Sequence, residues 1–98
     1  MDRDLHPSDG ARYLLERDGE LAGGSLARYC VAIYTPDAVF GGTATLGDDG
    51  SVELAPTGAP DELAARLLGI ARLVARDAAR LRAAGMPAWP QRILRWRR

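Results

Sequence analysis

Residues 61–84, DELAARLLGIARLVARDAARLRAA, constrain the fold more than any other stretch of the chain. Leu63, Leu67, Ile70, Ala71, Val74, Ala78 and Leu81 recur at steps of three and four, which draws one apolar stripe along a long helix. Pro60 suits a first helical position, where its missing N–H would have no partner anyway. Asp61 and Glu62 put negative charge near the positive end of the helix dipole. Gly85 is the natural left-handed stop, and Pro87 prevents the helix from resuming. A rod with one greasy side must lie on something, and the residues before it supply a surface.

That surface reads as strands. Residues 26–34 are rich in tyrosine, valine and isoleucine, with Tyr29, Val31 and Ile33 on one face and Arg28, Cys30, Ala32 and Tyr34 on the other. Thr35-Pro36-Asp37 turns the chain. Residues 38–46 return with Phe40, Ala44 and Leu46 on one side and Val39, Thr43 and Thr45 on the other. Gly41-Gly42 within them marks a bulge or a close approach of another backbone. After a turn at 47–50, residues 51–55 form a short strand carrying Val52 and Leu54. Residues 56–60 link it to the helix.

Upstream, residues 11–17, Asp18-Gly19 and residues 20–22 read as a strand, a tight turn and a returning strand, since Asp-Gly suits the positive φ of hairpin turns. A helix capped by Ser8 or Asp9 and running through Glu16 competes with this reading. Gly23-Gly24-Ser25 breaks whatever precedes it. Residues 1–10 lack periodicity and read as a flexible lead-in.

The expected architecture is therefore α+β. An antiparallel meander of three to four strands carries one long C-terminal helix on one face, in a single domain over residues 11–98. Tyr29, Val31, Ile33, Phe40, Leu46, Val52 and Leu54 should meet Leu63, Leu67, Ile70, Val74 and Leu81. The last stretch, MPAWPQRILRWRR, reads as a short amphipathic helical tail. Trp89, Ile93 and Trp96 share one face at helical spacing, and Pro90 stands at its first position. So short a helix is marginal alone and must dock, either on its own chain or on a partner.

Charge is unevenly placed. Residues 1–62 hold 12 acids and 4 arginines, and residues 63–98 hold 9 arginines and 1 acid, so the net charge of zero hides two oppositely charged halves. Every cation is arginine, the side chain suited to forked contacts with carboxylate or phosphate, although a GC-rich coding preference gives the same composition. Arg72, Arg76 and Arg80 form a row at steps of four on the helix, and Arg92 and Arg95 lie in the tail. Arginines beside tryptophans suggest phosphate contacts and base stacking; net neutrality weakens that suggestion.

Catalytic chemistry finds little footing. A single cysteine excludes an intrachain disulfide and a multi-thiolate metal site within one chain. Cys30 lies mid-strand, away from any helix N-terminus that would favour a thiolate, and the sole histidine, His6, lies in the lead-in. Asp2, Asp4, His6 and Asp9 form a loose set of metal-ligating types with no recognised spacing. Asp48-Asp49-Gly50 lacks the later glutamate of a calcium loop. Gly41-Gly42 is not followed by a helix that would cradle phosphate. No cofactor or metal is expected.

No signal peptide or membrane span is visible, which makes a cytoplasmic setting the default. The sheet face left by the helix would show Leu14, Cys30, Ala32, Val39, Thr43 and Thr45, too apolar for a generic wet face. These features point to a small non-enzymatic protein–protein interaction module. It would associate with itself as an isologous homodimer through the open sheet face or the tryptophan tail. Trp89, Ile93, Trp96, Arg72, Arg76, Arg80, Arg92 and Arg95 are the candidate contact residues. The alternative is a nucleic-acid-binding protein that uses the arginine row and the basic tail.

Overall fold

The computed structural model describes residues 5–98. Its elements run β1 (Ala11–Leu21), a 3₁₀ turn (Ala22–Gly24), β2 (Leu26–Tyr34), β3 (Val39–Gly47), β4 (Val52–Leu54), α1 (Asp61–Ala83) and β5 (Arg92–Arg97). The strands make one antiparallel sheet in the order β4-β3-β2-β1-β5, so a meander of four is extended by a fifth strand from the far end of the chain.

α1 starts and stops where its sequence dictates. Pro60 is the residue just outside the first turn, and its carbonyl accepts the first helical bond from Ala64 N–H at 3.0 Å. At the other end Gly85 takes φ +74°. Met86 N–H then reaches Leu81 O at 2.9 Å and Gly85 N–H reaches Arg82 O at 3.0 Å, the paired bonds of a Schellman stop. Leu67, Ile70, Ala71, Ala75 and Ala78 are buried along the helix. The alanines let α1 sit close to the sheet, where it packs against β3 and β4.

The core lies between that stripe and one sheet face. Tyr13, Leu15, Tyr29, Ile33, Leu46 and Leu67 are its largest fully enclosed side chains, with Phe40, Val52, Leu54, Leu63, Val74 and Leu81 packed at its margin. Each fully buried aliphatic side chain contributes about 1.5–3 kcal/mol of transfer free energy. The tyrosines differ: Tyr29 donates its hydroxyl to Pro90 O at 2.7 Å, whereas the buried Tyr13 hydroxyl has no partner among the described residues.

Three local readings of the sequence need correction. Asp18-Gly19 does not turn the chain. β1 continues through it, and the register passes from Arg17↔Tyr29 to Gly19↔Arg28, leaving Asp18 as the extra residue of a bulge. The turn lies at Ala22–Gly24, where Ala22, Gly23 and Gly24 take φ of 53°, 69° and 93°. Two adjacent glycines accept those angles cheaply, and a turn placed there lets the full length of β2 pair with β1. The competing helix over residues 8–16 does not form.

Gly41-Gly42 holds no bulge, since β2 and β3 stay in unbroken register. Its close neighbour is a side chain: a Cβ on Gly42 would sit 3.1 Å from Thr57 Cγ2 in the linker to α1, with the Ala55 and Pro56 carbonyls at 3.8 Å.

The third correction is the tail. Residues 92–97 form a strand and not a helix, pairing with β1 from Ala11↔Arg97 to Glu16↔Arg92. Without β5, β1 would present an open edge of about half a dozen residues, each outward backbone group wanting a partner. A lone short helix offers nothing to that edge, whereas RILRWR offers a strand whose alternate residues suit the two faces.

The segment before β5 is stapled down. Trp89 is 3% exposed, and its indole N–H donates to Gly24 O at 2.8 Å. Arg17 donates to Trp89 O and to Gln91 Oε1, both at 2.9 Å. Leu5–Gly10 is anchored as well: Arg12 donates to Leu5 O, the His6 ring lies 2.6 Å from Thr35 O and edge-on to Tyr34, and Pro7 is buried.

Candidate interaction surfaces

The strand geometry sorts the candidate contact residues onto different surfaces. On the sheet face away from α1, the register lines up three rows. Trp96, Arg12, Tyr34 and Val39 form the first; Leu94, Leu14, Ala32 and Gly41 the second; Arg92, Glu16, Cys30 and Thr43 the third. The first two rows are largely apolar. Trp96, Leu94 and Val39 are 43%, 38% and 51% exposed. Leu14 is buried yet stands outside the core beneath the helix, because its cover comes from this face. The Leu5–Asp9 segment touches this face along the first row, through Arg12, Tyr34 and Trp96.

Polar groups edge the patch. Arg92 pairs with Glu16 at 3.5 Å and Arg28 with Asp18 at 3.2 Å, both solvent-exposed. Trp96 donates its indole N–H to Asp9 O at 3.0 Å, and the Arg98 guanidinium lies 5.5 Å from its ring centroid. This fixes the ring without covering it.

The helix face holds the second surface. α1 leans toward β3 and β4, and between it and β5 runs a groove of about 310 Å³. Ile70, Val74, Leu81 and Ile93 make its apolar wall, and Asp77, Arg95 and Arg97 stand at its mouth. A hollow lined by Arg66, Leu73 and Arg98 continues it along the helix. Among the described residues, Arg72, Arg76, Arg95 and Arg97 form no ion pair, while Arg80 binds Asp77, Arg66 binds Glu62 and Arg82 binds Asp48.

The supposed stripe of Trp89, Ile93 and Trp96 is therefore dispersed. Trp89 and Ile93 are buried on the helix side, and Trp96 faces the opposite side of the sheet. Arg92 is on Trp96's face, Arg95 on the groove's face, and Arg72, Arg76 and Arg80 lie exposed on the helix. Leu94 was not singled out from the sequence. Its signal was the two-residue alternation with Trp96, hidden by reading the tail at helical period.

Reactive groups do not converge. Cys30 is exposed mid-β2, and His6 contacts Tyr34 and Thr35, four residues further along that strand and thus about 13 Å away. Asp2 and Asp4 lie outside the described residues; within these, no three His, Cys, Asp or Glu side chains gather to hold a metal ion. Asp48-Asp49-Gly50 is a turn: Ser51 bonds Asp49 through hydroxyl and N–H, which holds that carboxyl below its ordinary range, and Asp48 binds Arg82. Among the described residues no helix is long and apolar enough to cross a membrane. No family model, curated protein or solved structure matches the chain.

Proposed function

We propose that this protein is a non-enzymatic interaction module that pairs with a second copy of itself, sheet face to sheet face. The observation that carries the reading is the apolar set Leu14, Ala32, Val39, Leu94 and Trp96 on one sheet face, of which Val39, Leu94 and Trp96 stay exposed although Leu5–Asp9 touches its first row. Sheet face and tail, separate candidates from the sequence, become one surface here because β5 places Leu94 and Trp96 beside Leu14. A second copy suits the rim, where Glu16 and Asp18 alternate with Arg28 and Arg92. These four charges form two exposed ion pairs, so the rim carries both signs and sets no net charge of one sign against a second copy.

Size supports a weak, specific dimer. Four strands about 4.8 Å apart and about nine residues long give roughly 600 Å² per copy. The total lies just above the roughly 1,000 Å² that separates specific interfaces from incidental contacts. Micromolar affinity is the expectation. Sedimentation equilibrium across that range, on the native chain and on Ala32→Glu, tests it. The substitution sets two carboxylates near the dimer's two-fold axis while leaving the core beneath α1 untouched. A native chain that stays monomeric throughout, or an Ala32→Glu chain that dimerises equally well, overturns the proposal.

Nucleic-acid binding, the second reading, draws support from Arg72 and Arg76, which have no carboxylate partner among the described residues. It loses one of the two stacking platforms that motivated it, since Trp89 is enclosed, and the exposed Trp96 lies across the sheet from Arg95 and the helix row. A salt titration with single- and double-stranded oligonucleotides decides it, and no binding at low salt ends it.

A further inference from the structure

β5 closes one edge of the sheet and opens another. Arg17 N–H donates to Gln91 O, which fixes the hydrogen-bonded positions of the β1–β5 pair at every second residue onward, Ile93, Arg95 and Arg97. The backbone N–H and C=O groups of Arg92, Leu94 and Trp96 therefore point away from β1, out of the sheet. Two of those carbonyls already attract cations. Arg95 Nη1 donates to Leu94 O at 3.1 Å and Arg97 Nη1 to Trp96 O at 2.9 Å. Among the described residues neither guanidinium has a carboxylate partner, and both stand at the mouth of the groove beside α1.

We infer that this edge and groove dock an extended peptide segment in which acidic and apolar residues alternate. Backbone pairing would run along Leu94 and Trp96, displacing the two guanidiniums from the carbonyls they now occupy. A strand added there presents its side chains alternately to the two sheet faces. On the helix face they stand opposite Arg95 and Arg97 and should be carboxylates. On the other face they stand opposite Leu94 and Trp96 and should be apolar. The residue opposite Ile93 enters the groove against Val74 and Leu81 and should be aliphatic.

Charge excludes a second β5 as the occupant. Residues 92–98 carry four arginines and no acid, so a homotypic edge would set guanidinium against guanidinium. The site uses the outer backbone of β5 and the groove beside α1, and it meets the sheet face proposed for self-association only at Leu94 and Trp96.

The test is fluorescence anisotropy with a labelled, end-capped peptide of alternating glutamate and valine in which the residue opposite Ile93 is also valine. A scrambled peptide of the same composition and a lysine-for-glutamate analogue are the controls. The alternating acidic peptide should bind, the controls should bind at least about tenfold more weakly, and the amides of Leu94 and Trp96 should gain protection from hydrogen exchange. Arg95→Glu/Arg97→Glu should reverse the preference toward the lysine peptide. Leu94→Pro, which removes an N–H that β1 does not use, should abolish binding while the urea midpoint followed by circular dichroism reports an intact core. Equal binding of the scrambled peptide, unchanged affinity in the double reversal, or no binding of the acidic peptide overturns the inference.

Discussion

Replacing each tryptophan in turn separates the strand-forming tail from a merely appended one. Trp89 is 3% exposed, so Trp89→Ala removes a side chain that buries about 200 Å². At about 25 cal/mol per Å² that is about 5 kcal/mol as an upper bound, and measured truncations of buried aromatics cost about 3–5 kcal/mol. The indole bond to Gly24 O goes with it, so the upper half of that range is expected. A domain of this length holds about 5–15 kcal/mol in all, so the loss is a large share.

Trp96 is 43% exposed and rests on the outer face, where truncation should cost about 1 kcal/mol or less. Urea unfolding followed by far-ultraviolet circular dichroism reads both. With a slope of about 1.5 kcal/mol per molar, Trp89→Ala should lower the midpoint by about 3 M and Trp96→Ala by less than about 0.7 M. Emission should be blue-shifted in Trp96→Phe, where only Trp89 reports, and red-shifted in Trp89→Phe. Equal midpoints for the two alanine variants, or a red-shifted Trp89, would refute the packing of residues 88–91 against β1 and β2.

The two core tyrosines should respond to phenylalanine with opposite signs. Tyr29→Phe leaves Pro90 O without its donor and should cost about 1 kcal/mol in urea midpoint terms, whereas Tyr13→Phe removes an unpartnered hydroxyl and should be neutral or slightly stabilising. Burial also pushes the Tyr29 hydroxyl from 10.0 up to about 12. The unfolded chain therefore loses this proton first, so the contribution is intact below pH 10 and declines as pH rises toward 12. The decline is at most about 2–3 kcal/mol and should be flatter in Tyr29→Phe. Gly10→Ala should destabilise more than Gly23→Ala in the same assay. Both glycines take positive φ, but only at Gly10 would the new methyl strike a backbone carbonyl, that of Arg97 in β5.

Legibility tracked how local the deciding interaction was. α1 needed only its own period, its acidic first turn and Gly85, and its limits agree with the reading to a residue. β2, β3 and β4 were legible from alternation and short turns, and Leu14, Ala32 and Val39 were rightly placed on the face opposite the helix. β1 was misread at Asp18-Gly19 because a bulge and a hairpin turn draw on the same residue types. The choice between them depends on how many pairs each alignment gives β2, which two residues cannot express. The tail misled further: Trp89, Ile93 and Trp96 fit a helical period by spacing alone, while Leu94, Trp96 and the outward Arg95 and Arg97 fit a strand equally well.

By itself, then, the sequence determined the helix, the meander it lies on, and the side of each strand that meets it. Those follow from periods of 3.6 and 2 and from glycine and proline at the breaks. Only the tertiary structure decided that the last strand belongs beside the first. An edge about eighty residues away wanted hydrogen-bond partners, and the arginine-rich end could supply them. That pairing took Trp89 into the core, turned Trp96 to the open face, and left Arg95 and Arg97 over a groove. Backbone groups unpaired at one end of a chain can set the conformation of the other end, and no local pattern records that demand.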